Sequence, residues 1–342
     1  MTQKLAIVIL NWNGRHFLER FLPGVMKYSD CEEVRVVIAD NASTDDSLAW
    51  LALNYPEIDV LEFSENNGFA GGYNLVFEKL NEEIICLLNS DVEIRGEWLP
   101  PVLDYFASHE NVAAISSKLL DQKYPEYFEY ASAAGGYIDK FGYPFCRGRI
   151  FETLEKDHGQ YDDIQDVLWG AGAALFVRRK IWLEIGGLDV DFFAHMEEID
   201  LCWRIKNAGF RVISLPQSVV YHVGGGTLPK NNPRKTFLNF RNNLWMLQKN
   251  LPKKQLFPLM FIRFWLDMLA MLVFLFSARF KDAGAVCKAW KNVLQTRRKT
   301  LAKRKYMANF SGMSGKGFYK GSILWQYHIK KRIFFVDIIL TN

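Results

Sequence analysis

Ile84-Ile85-Cys86-Leu87-Leu88-Asn89-Ser90-Asp91 decides the architecture of this chain: five apolar residues in a row, then an abrupt change to polar groups. A strand buried on both faces reads this way, whereas a strand with one wet face alternates. The pattern recurs at Val34–Asp40, again ending in a carboxylate, and at Lys4–Leu10, which leads into Asn11-Trp12-Asn13-Gly14. Ile58–Phe63 and Asn111–Ser116 read as two further strands. Segments of helical character separate them: Arg15–Ser29, Ser43–Tyr55 with Ser43 or Thr44 as N-cap, Phe69–Leu80 and Gly96–His109. This alternation predicts an α/β fold, a mostly parallel sheet with helices on both faces. Such sheets bind ligands outside the carboxyl ends of their strands, which is where Asp40, Asn89 and Asp91 stand.

Beyond the fifth strand the rhythm changes. Tyr124 to about Gln165 is rich in Tyr, Phe, Gly and charge and suggests hairpins or a flap over the sheet. Asp166–Arg179 reads as a strand returning to the core, and Arg179–Gly187 as a short helix stopped by glycine. Glu197–Gly209 is a second helix, and Phe210–Leu215 and Ser218–His222 are two strands. From Pro233 the pattern is helical. Leu256–Ala278 is long enough to cross a bilayer, yet it contains Arg263 and Asp267 at i, i+4, where they can pair on one face. A charge at the bilayer centre costs about 2.5–3.5 kcal/mol. The expectation is therefore a helix packed on the protein or lying in the membrane interface, rather than a span. The stretch Arg279–Lys305, in which Asp282 is the only acid, favours an anionic membrane surface.

Composition narrows the setting. With 342 residues and 49% hydrophobic content the chain can bury a large core, and a net charge of +4 says little about partners. The five cysteines show no paired spacing, so they read as buried thiols in a reducing, cytoplasmic compartment. No secretory leader is visible, because Lys4–Leu10 is too short and passes at once into polar residues. The basic tail has no nucleic-acid reading module beside it, so nucleic acid is not an expected partner.

Individually, the polar motifs admit two readings. G-x-G-x-x-G and the P-loop are both absent after the first strand. Asp40 can accept from a nucleobase N–H or cap a turn. Asn66-Asn67-Gly68-Phe69-Ala70-Gly71-Gly72 can bring backbone close to an anion or make a tight turn. Asp91 can hold a hard divalent cation that substrate phosphates help to ligate, or act as a cap. Glu197, Glu198 and Asp200 suit a general base, and equally suit the positive end of a helix dipole. His222 can be a ligand or a hydrogen bonder at a strand end.

Taken in order, AIVILNWNG, VVIADNASTDDS, ENNGFAGGYN, LLNSDVEI, GAGAALFVRRKIWLEIGGLDVDFF, EEIDLCWRIKNAGF and VVYHVGGGT resemble the family-2 glycosyltransferases of the GT-A fold, in particular the bacterial rhamnosyltransferase-like branch. These stretches cover roughly residues 4–227. The resemblance implies a catalytic domain over residues 1–230, with a nucleotide-sugar half to about 120 and an acceptor half from about 121. Residues 231–342 would form a helical, apolar and basic extension that meets the membrane. It also implies site roles. Asp40 contacts the nucleobase; Asn11, Asn67, Gly68, Asn89, Gly170 and Ala171 line the nucleotide-sugar pocket. Asn89 and Asp91 occupy the ends of a D-x-D-like motif. Asp91 and His222 hold Mg²⁺ or Mn²⁺. Glu198 stands at the base position of the family's E-D-x-D-L-C-W-R pattern, beside Glu197 and Asp200. The implied activity is inverting transfer of a sugar from a nucleotide-diphosphate sugar (dTDP-rhamnose or a UDP-sugar) to a growing surface or polyprenyl-linked glycan, at the inner face of the cell membrane. A catalytically decayed nucleotide-sugar-binding protein and a sugar nucleotidyltransferase are the alternatives. The second usually has a Gly-rich basic loop after its first strand, where this chain has Asn11–Gly14.

Overall fold

The computed structural model describes residues 4–130, 133–224, 232–306 and 315–339. Gly225, Gly226 and Thr227 of the last quoted stretch, and the expected boundary near residue 230, lie outside them. Strands β1 (Leu5–Asn11), β2 (Val34–Asp40), β3 (Asp59–Glu62) and β4 (Ile84–Asn89) alternate with helices α1 (Arg15–Tyr28), α2 (Ser47–Asn54) and α3 (Gly68–Lys79). The short β5 (Val92–Glu93), α4 (Pro100–Ser108) and the long β6 (Val112–Asp121) follow. Next come β7 (Gly136–Asp139), β8 (Pro144–Cys146), β9 (Arg149–Ile150), β10 (Thr153–Leu154), β11 (Gln165–Asp166) and β12 (Ala174–Arg178). Helices α5 (Arg179–Ile185) and α6 (Glu197–Asn207) lead to β13 (Arg211–His222), then α7 (Pro233–Asn250), α8 (Lys253–Phe276) and α9 (Phe280–Ala302). A last strand, β14 (Phe318–Tyr319), and α10 (Phe335–Ile339) complete the described chain.

The main sheet runs β11-β13-β6-β12-β4-β1-β2-β3, with β5 also paired to β13. Alternate residues of the central strands enter opposite cores. Ala6 and Val8 pack with Tyr73, Phe77 and Trp182 beneath α3 and α5. Leu5, Ile7 and Ile9 pack with Leu18, Leu22 and Val102 beneath α1 and α4. Both faces are dry, which is why these strands read as continuous apolar runs. The sheet is mostly parallel, as expected, but β12 runs antiparallel between β4 and β6. That reversal starts β12 at the carboxyl end of β4, where Asn89 N–H donates to Ala173 O at 3.0 Å. The turn at Gly170–Ala173 is thereby carried to the ligand-binding edge.

Several local expectations are corrected. Ser43 and Thr44 do not cap α2, which starts after Asp46; their hydrogen bonds go to Asp40 and Asn13. The two expected strands form one, Arg211–His222, with an irregularity between Leu215 and Val219, since both halves pair with β6. Within the expected region, residues 136–154 form a meander, β7 to β10, whose outer edge is completed by β14 from the far end of the chain. Of the five cysteines, Cys86, Cys146 and Cys202 are buried and Cys31 and Cys287 are exposed; all five are unpaired thiols.

Candidate active site

The ends of β1 and β2 are tied into one hydrogen-bonded knot. Asp40, 1% exposed, accepts from Asn11 Nδ2 at 2.9 Å, Ser43 N–H at 2.8 Å and Ser43 Oγ at 2.6 Å. Asn13 Oδ1 accepts from Thr44 N–H at 2.6 Å and Asp45 N–H at 3.2 Å. Asn13 and Ala42 hold positive φ angles of 51° and 60°, conformations these bonds sustain. Asn41 then links β2 to the next loop, accepting from Asn67 N–H at 2.9 Å and donating to Gly68 O at 3.1 Å. Gly68 itself sits at φ 65°, which explains its residue type. Asn11 Oδ1 is buried in this knot without a partner. Sequence reading drew attention to Asp40 and Asn11; it missed Ser43 and Asn41, whose contacts arise only once the loops meet.

A second group forms where β4 and β13 end. His222 Nε2 lies 3.1 Å from Asp91 Oδ1 and 3.4 Å from Asn89 Nδ2. On the other side of the ring, Nδ1 lies 3.4 Å from Glu129 Oε1. Glu129 belongs to the segment that the sequence left untraced, and no motif announces it. Burial alone would lower His222, but hydrogen bonding to Asp91 and Glu129 raises it to about 10. Burial alone would raise Asp91, but His222 holds it below the usual carboxylate range. The two carboxylates face opposite ring nitrogens and so do not converge on one point. Among the described residues no group of three or more His, Cys, Asp and Glu side chains is placed to hold a metal ion.

The third group is the start of α6. Glu197 and Glu198 each keep a buried Oε2 without a hydrogen-bond partner, and so does His195 at Nε2. Burial, with Glu198 next to it, raises Glu197 well above the usual range. Burial raises Glu198 to about 7. Burial, with Lys235 nearby, lowers His195 to about 4, leaving the ring neutral. The loop that presents these groups is strained: Phe193, His195 and Met196 have φ of 67°, 69° and 73°. Asn242 of α7, fully buried, holds it by donating to Phe192 O, Ala194 O and His195 O at 2.8–2.9 Å. Arg241 adds a bond to Phe192 O at 3.0 Å.

Asp200 is placed differently from its two neighbours. It accepts from Lys249 at 2.6 Å, Arg204 at 2.9 Å and Asn250 at 2.8 Å, with no exposed surface. Burial alone would raise it, but Lys249 and Arg204 keep it below its ordinary value. It anchors α6 to α7. Lys249 also pairs with Asp189 at 2.8 Å, and Lys303 and Lys299 of the basic stretch bind Asp191 at 2.6 and 2.8 Å. Part of that stretch is therefore engaged by acids of the loop before α6.

The turn at 170–173 connects the groups. A side chain on Gly170 would collide with Ser116, and one on Gly172 with Phe69 at the start of α3. Ala171 is buried beneath them. Cys202, one helical turn beyond Glu198, accepts a backbone bond from Gly170. The Asn67–Gly68 loop, Asn89, the glycine turn and α6 thus adjoin one another along the strand ends.

Residues 6–161 match the family model for glycosyl transferase family 2. The chain carries a family-2 glycosyltransferase domain. It is 25% identical over 236 residues to the N-acetylglucosaminyl-diphospho-decaprenol L-rhamnosyltransferase of Mycobacterium tuberculosis, covering 65% of this chain and 76% of that one. It is 24% identical over 224 residues to rhamnosyltransferase WbbL of Escherichia coli, covering 63% and 82%. Two solved structures share its fold. GalNAc-T7 with UDP, GalNAc and Mn²⁺ superposes with TM-score 0.58 at 14% identity, covering 74% of this chain, which spans about half (49%) of that protein. The mannosyltransferase PcManGT of Pyrobaculum calidifontis, with GDP-Man and Mn²⁺, superposes with TM-score 0.53 at 13% identity over 90% of this chain and 85% of that one. The fold is therefore GT-A, and the domain is rhamnosyltransferase-like.

Proposed function

We propose that this glycosyltransferase moves a sugar, with inversion, from a nucleotide-diphosphate sugar to a hydroxyl of a lipid-linked glycan at the inner face of the cell membrane. The observation that carries the mechanism is Glu198. A carboxyl raised to about 7 with an oxygen that has no partner is matched to take a proton near neutral pH. The acceptor hydroxyl would give its proton to Glu198 as its oxygen bonds to the anomeric carbon. The bond from that carbon to the diphosphate breaks, and the electron pair leaves with the nucleotide diphosphate. Glu197, immediately before it and also raised, disfavours a second negative charge and keeps the pair from ionising together.

The knot around Asp40 and Asn11 would receive the nucleoside, and Asn67, Gly68, Gly170 and Ala171 would line the donor pocket between it and α6. Asp91 and His222 would hold a divalent cation, Mg²⁺ or Mn²⁺, with the cation displacing the proton that Nε2 shares with Asp91. A carboxylate and an imidazole nitrogen meet at 3.1 Å, and Glu129 is placed to receive Nδ1–H of a ligating ring. When bound, the cation would offset charge on the departing diphosphate. The Mn²⁺ in the two structural neighbours supports that reading, and the rhamnosyltransferase relatives support a dTDP-rhamnose-like donor. In this scheme residues 1–230 hold the catalytic site and 231–342 the membrane-facing part. The test is transfer from a panel of labelled nucleotide sugars to a polyprenyl-diphosphate-linked amino sugar, with Mn²⁺ or EDTA. Inverted product from one donor, lost with EDTA, is expected. Donor binding without transfer to any acceptor would favour the decayed-site alternative.

A further inference from the structure

Helix α8 is built inside out. It is the one described helix that is long and apolar enough to cross a bilayer. Yet its buried residues are Leu259, Arg263 and Asp267, a single i, i+4, i+8 stripe. Arg263 and Asp267 are 1% and 0% exposed. Arg263 contacts Asp267 at 3.2 Å and donates to Phe141 O at 3.1 Å; Asp267 accepts from Tyr143 at 3.1 Å and Trp290 at 3.0 Å. At 100° per residue, Phe261, Trp265, Leu269, Leu272 and Phe276 fall within roughly 40° of a line on the opposite side. Among them Trp265 is 61% exposed and Phe276 90%. A soluble helix hides its apolar face and wets its charges; here the arrangement is reversed, so the outer face is matched to an apolar medium.

Two further observations name the medium and its orientation. Lys253 and Lys254 are exposed at the start of α8, and Lys281 and Lys288 just beyond its end. There, Arg234, Phe237, Phe280, Lys281 and Lys288 line a groove between α7 and α9, bringing three cations and two aromatic rings together. That chemistry suits the phosphates of anionic lipids beside their acyl chains. The inner stripe is anchored along its length to Tyr143 and Trp290, so one flank of α8 is always covered by protein. A helix held that way cannot have lipid on all sides.

We infer that α8 lies flat in one leaflet of an anionic bilayer, its Phe261–Phe276 face among the acyl chains and the Arg234–Lys288 groove on the headgroups. Arg234 also stacks on Phe193, 4.7 Å from its ring. Phe193 belongs to the strained loop leading to Glu198, so the lipid surface adjoins the acceptor side of the site. This deepens the membrane part of the proposed function and rests on it only for the reason to be there.

The test uses the full chain and vesicles of phosphatidylcholine with or without phosphatidylglycerol, lacking donor and acceptor, so that it is independent of catalysis. Wild type should float with anionic vesicles, and the doubly substituted Phe261→Glu, Trp265→Glu chain should lose at least tenfold in partitioning. Its melting temperature and nucleotide binding should be unchanged, since both side chains are exposed. Fluorophores at Phe261→Cys, Leu269→Cys and Phe276→Cys, with Cys31 and Cys287 replaced by serine, should be quenched by brominated lipids at one shallow depth. Phe261 and Phe276 are about 22 Å apart along the axis at 1.5 Å per residue, so a span would place them at different depths. Different depths would overturn the inference. So would undiminished flotation of the double variant, or a double variant that changes only the oligomeric state, which would assign the face to a second copy of the chain. Loss of flotation with transfer to a soluble acceptor retained would separate this inference from the transferase reading.

Discussion

At the ends of β1 and β2, Asp40 accepts three hydrogen bonds and Asn41 bridges two loops. At the start of α6, His195, Glu197 and Glu198 each hold a buried polar atom with no partner. Apart from Asn11 Oδ1, the first region is satisfied by its own loops. The second carries desolvated acids on a strained backbone and depends on α7 to hold it. A carboxyl oxygen without a partner is free to take a proton from a substrate hydroxyl. In the proposed scheme the first region places the donor and the second acts on the acceptor.

The largest effect is expected at Glu198. Glu198→Gln should lower kcat by roughly 10²–10⁴-fold, the range for a lost general base, with donor affinity retained in calorimetry. The same variant should be more stable at pH 8. The native carboxyl binds its proton up to about 7, against an ordinary value of 4.5, so wild-type stability falls as pH rises between those values. Glutamine carries no such charge, so its melting temperature should exceed wild type at pH 8 and converge with it at pH 4. If turnover survives, the division between the two regions fails.

Asn242→Ala sharpens the claim that α7 holds the reactive end. It would remove the side-chain donor of Ala194 O and His195 O, while Phe192 O keeps Arg241 and Ala194 N–H, at a cost of about 1–3 kcal/mol for buried polar groups left unpaired. Hydrogen exchange should rise at residues 193–196, and kcat should fall more than KM rises. Exchange unchanged there would show that the loop holds itself. Asp91→Asn should weaken Mn²⁺-dependent donor binding, by calorimetry, while metal-free nucleotide binding at the Asp40 knot persists. Equal loss of both would merge the two groups. Glu129→Gln should reduce Mn²⁺ affinity about 10–100-fold, as substitutions behind a ligating histidine do. Paramagnetic titration reads this without catalysis. The smallest effect is expected at Ser43→Ala, which removes one of Asp40's three bonds and the Oγ acceptor of Asn11 Nδ2 and the exposed Asn13 N–H, at roughly 0.5–1.5 kcal/mol of stability per bond.

How much of this was legible in the sequence follows the same division. The parallel core was readable because strands buried on both faces need no context to be recognised. Asp40, Asn89 and Asp91 followed, since they end those strands. The reversal of β12 was not readable, because an apolar run carries no direction. Glu129 and Asn242 were invisible: one sits in an irregular segment before β7, and the other matters only because Phe193, His195 and Met196 adopt positive φ. Asp200 was recognisable as an acid in the right helix, but its task is set by Lys249 and Asn250, at the end of the next helix, 49 and 50 residues further along the chain. The pairing of Arg263 with Asp267 was foreseen from their spacing; that the pair faces inward and the aromatics outward required the packing of α7 and α9.

The most direct test of the central claim is the pH dependence of single-turnover transfer. For the wild type, the rate should rise as pH passes about 7 and then level off, because Glu198 must be ionised to accept the proton. The residual rate of Glu198→Gln should show no inflection there. An inflection near 7 that persists in Glu198→Gln would assign the base to another group and contradict the account.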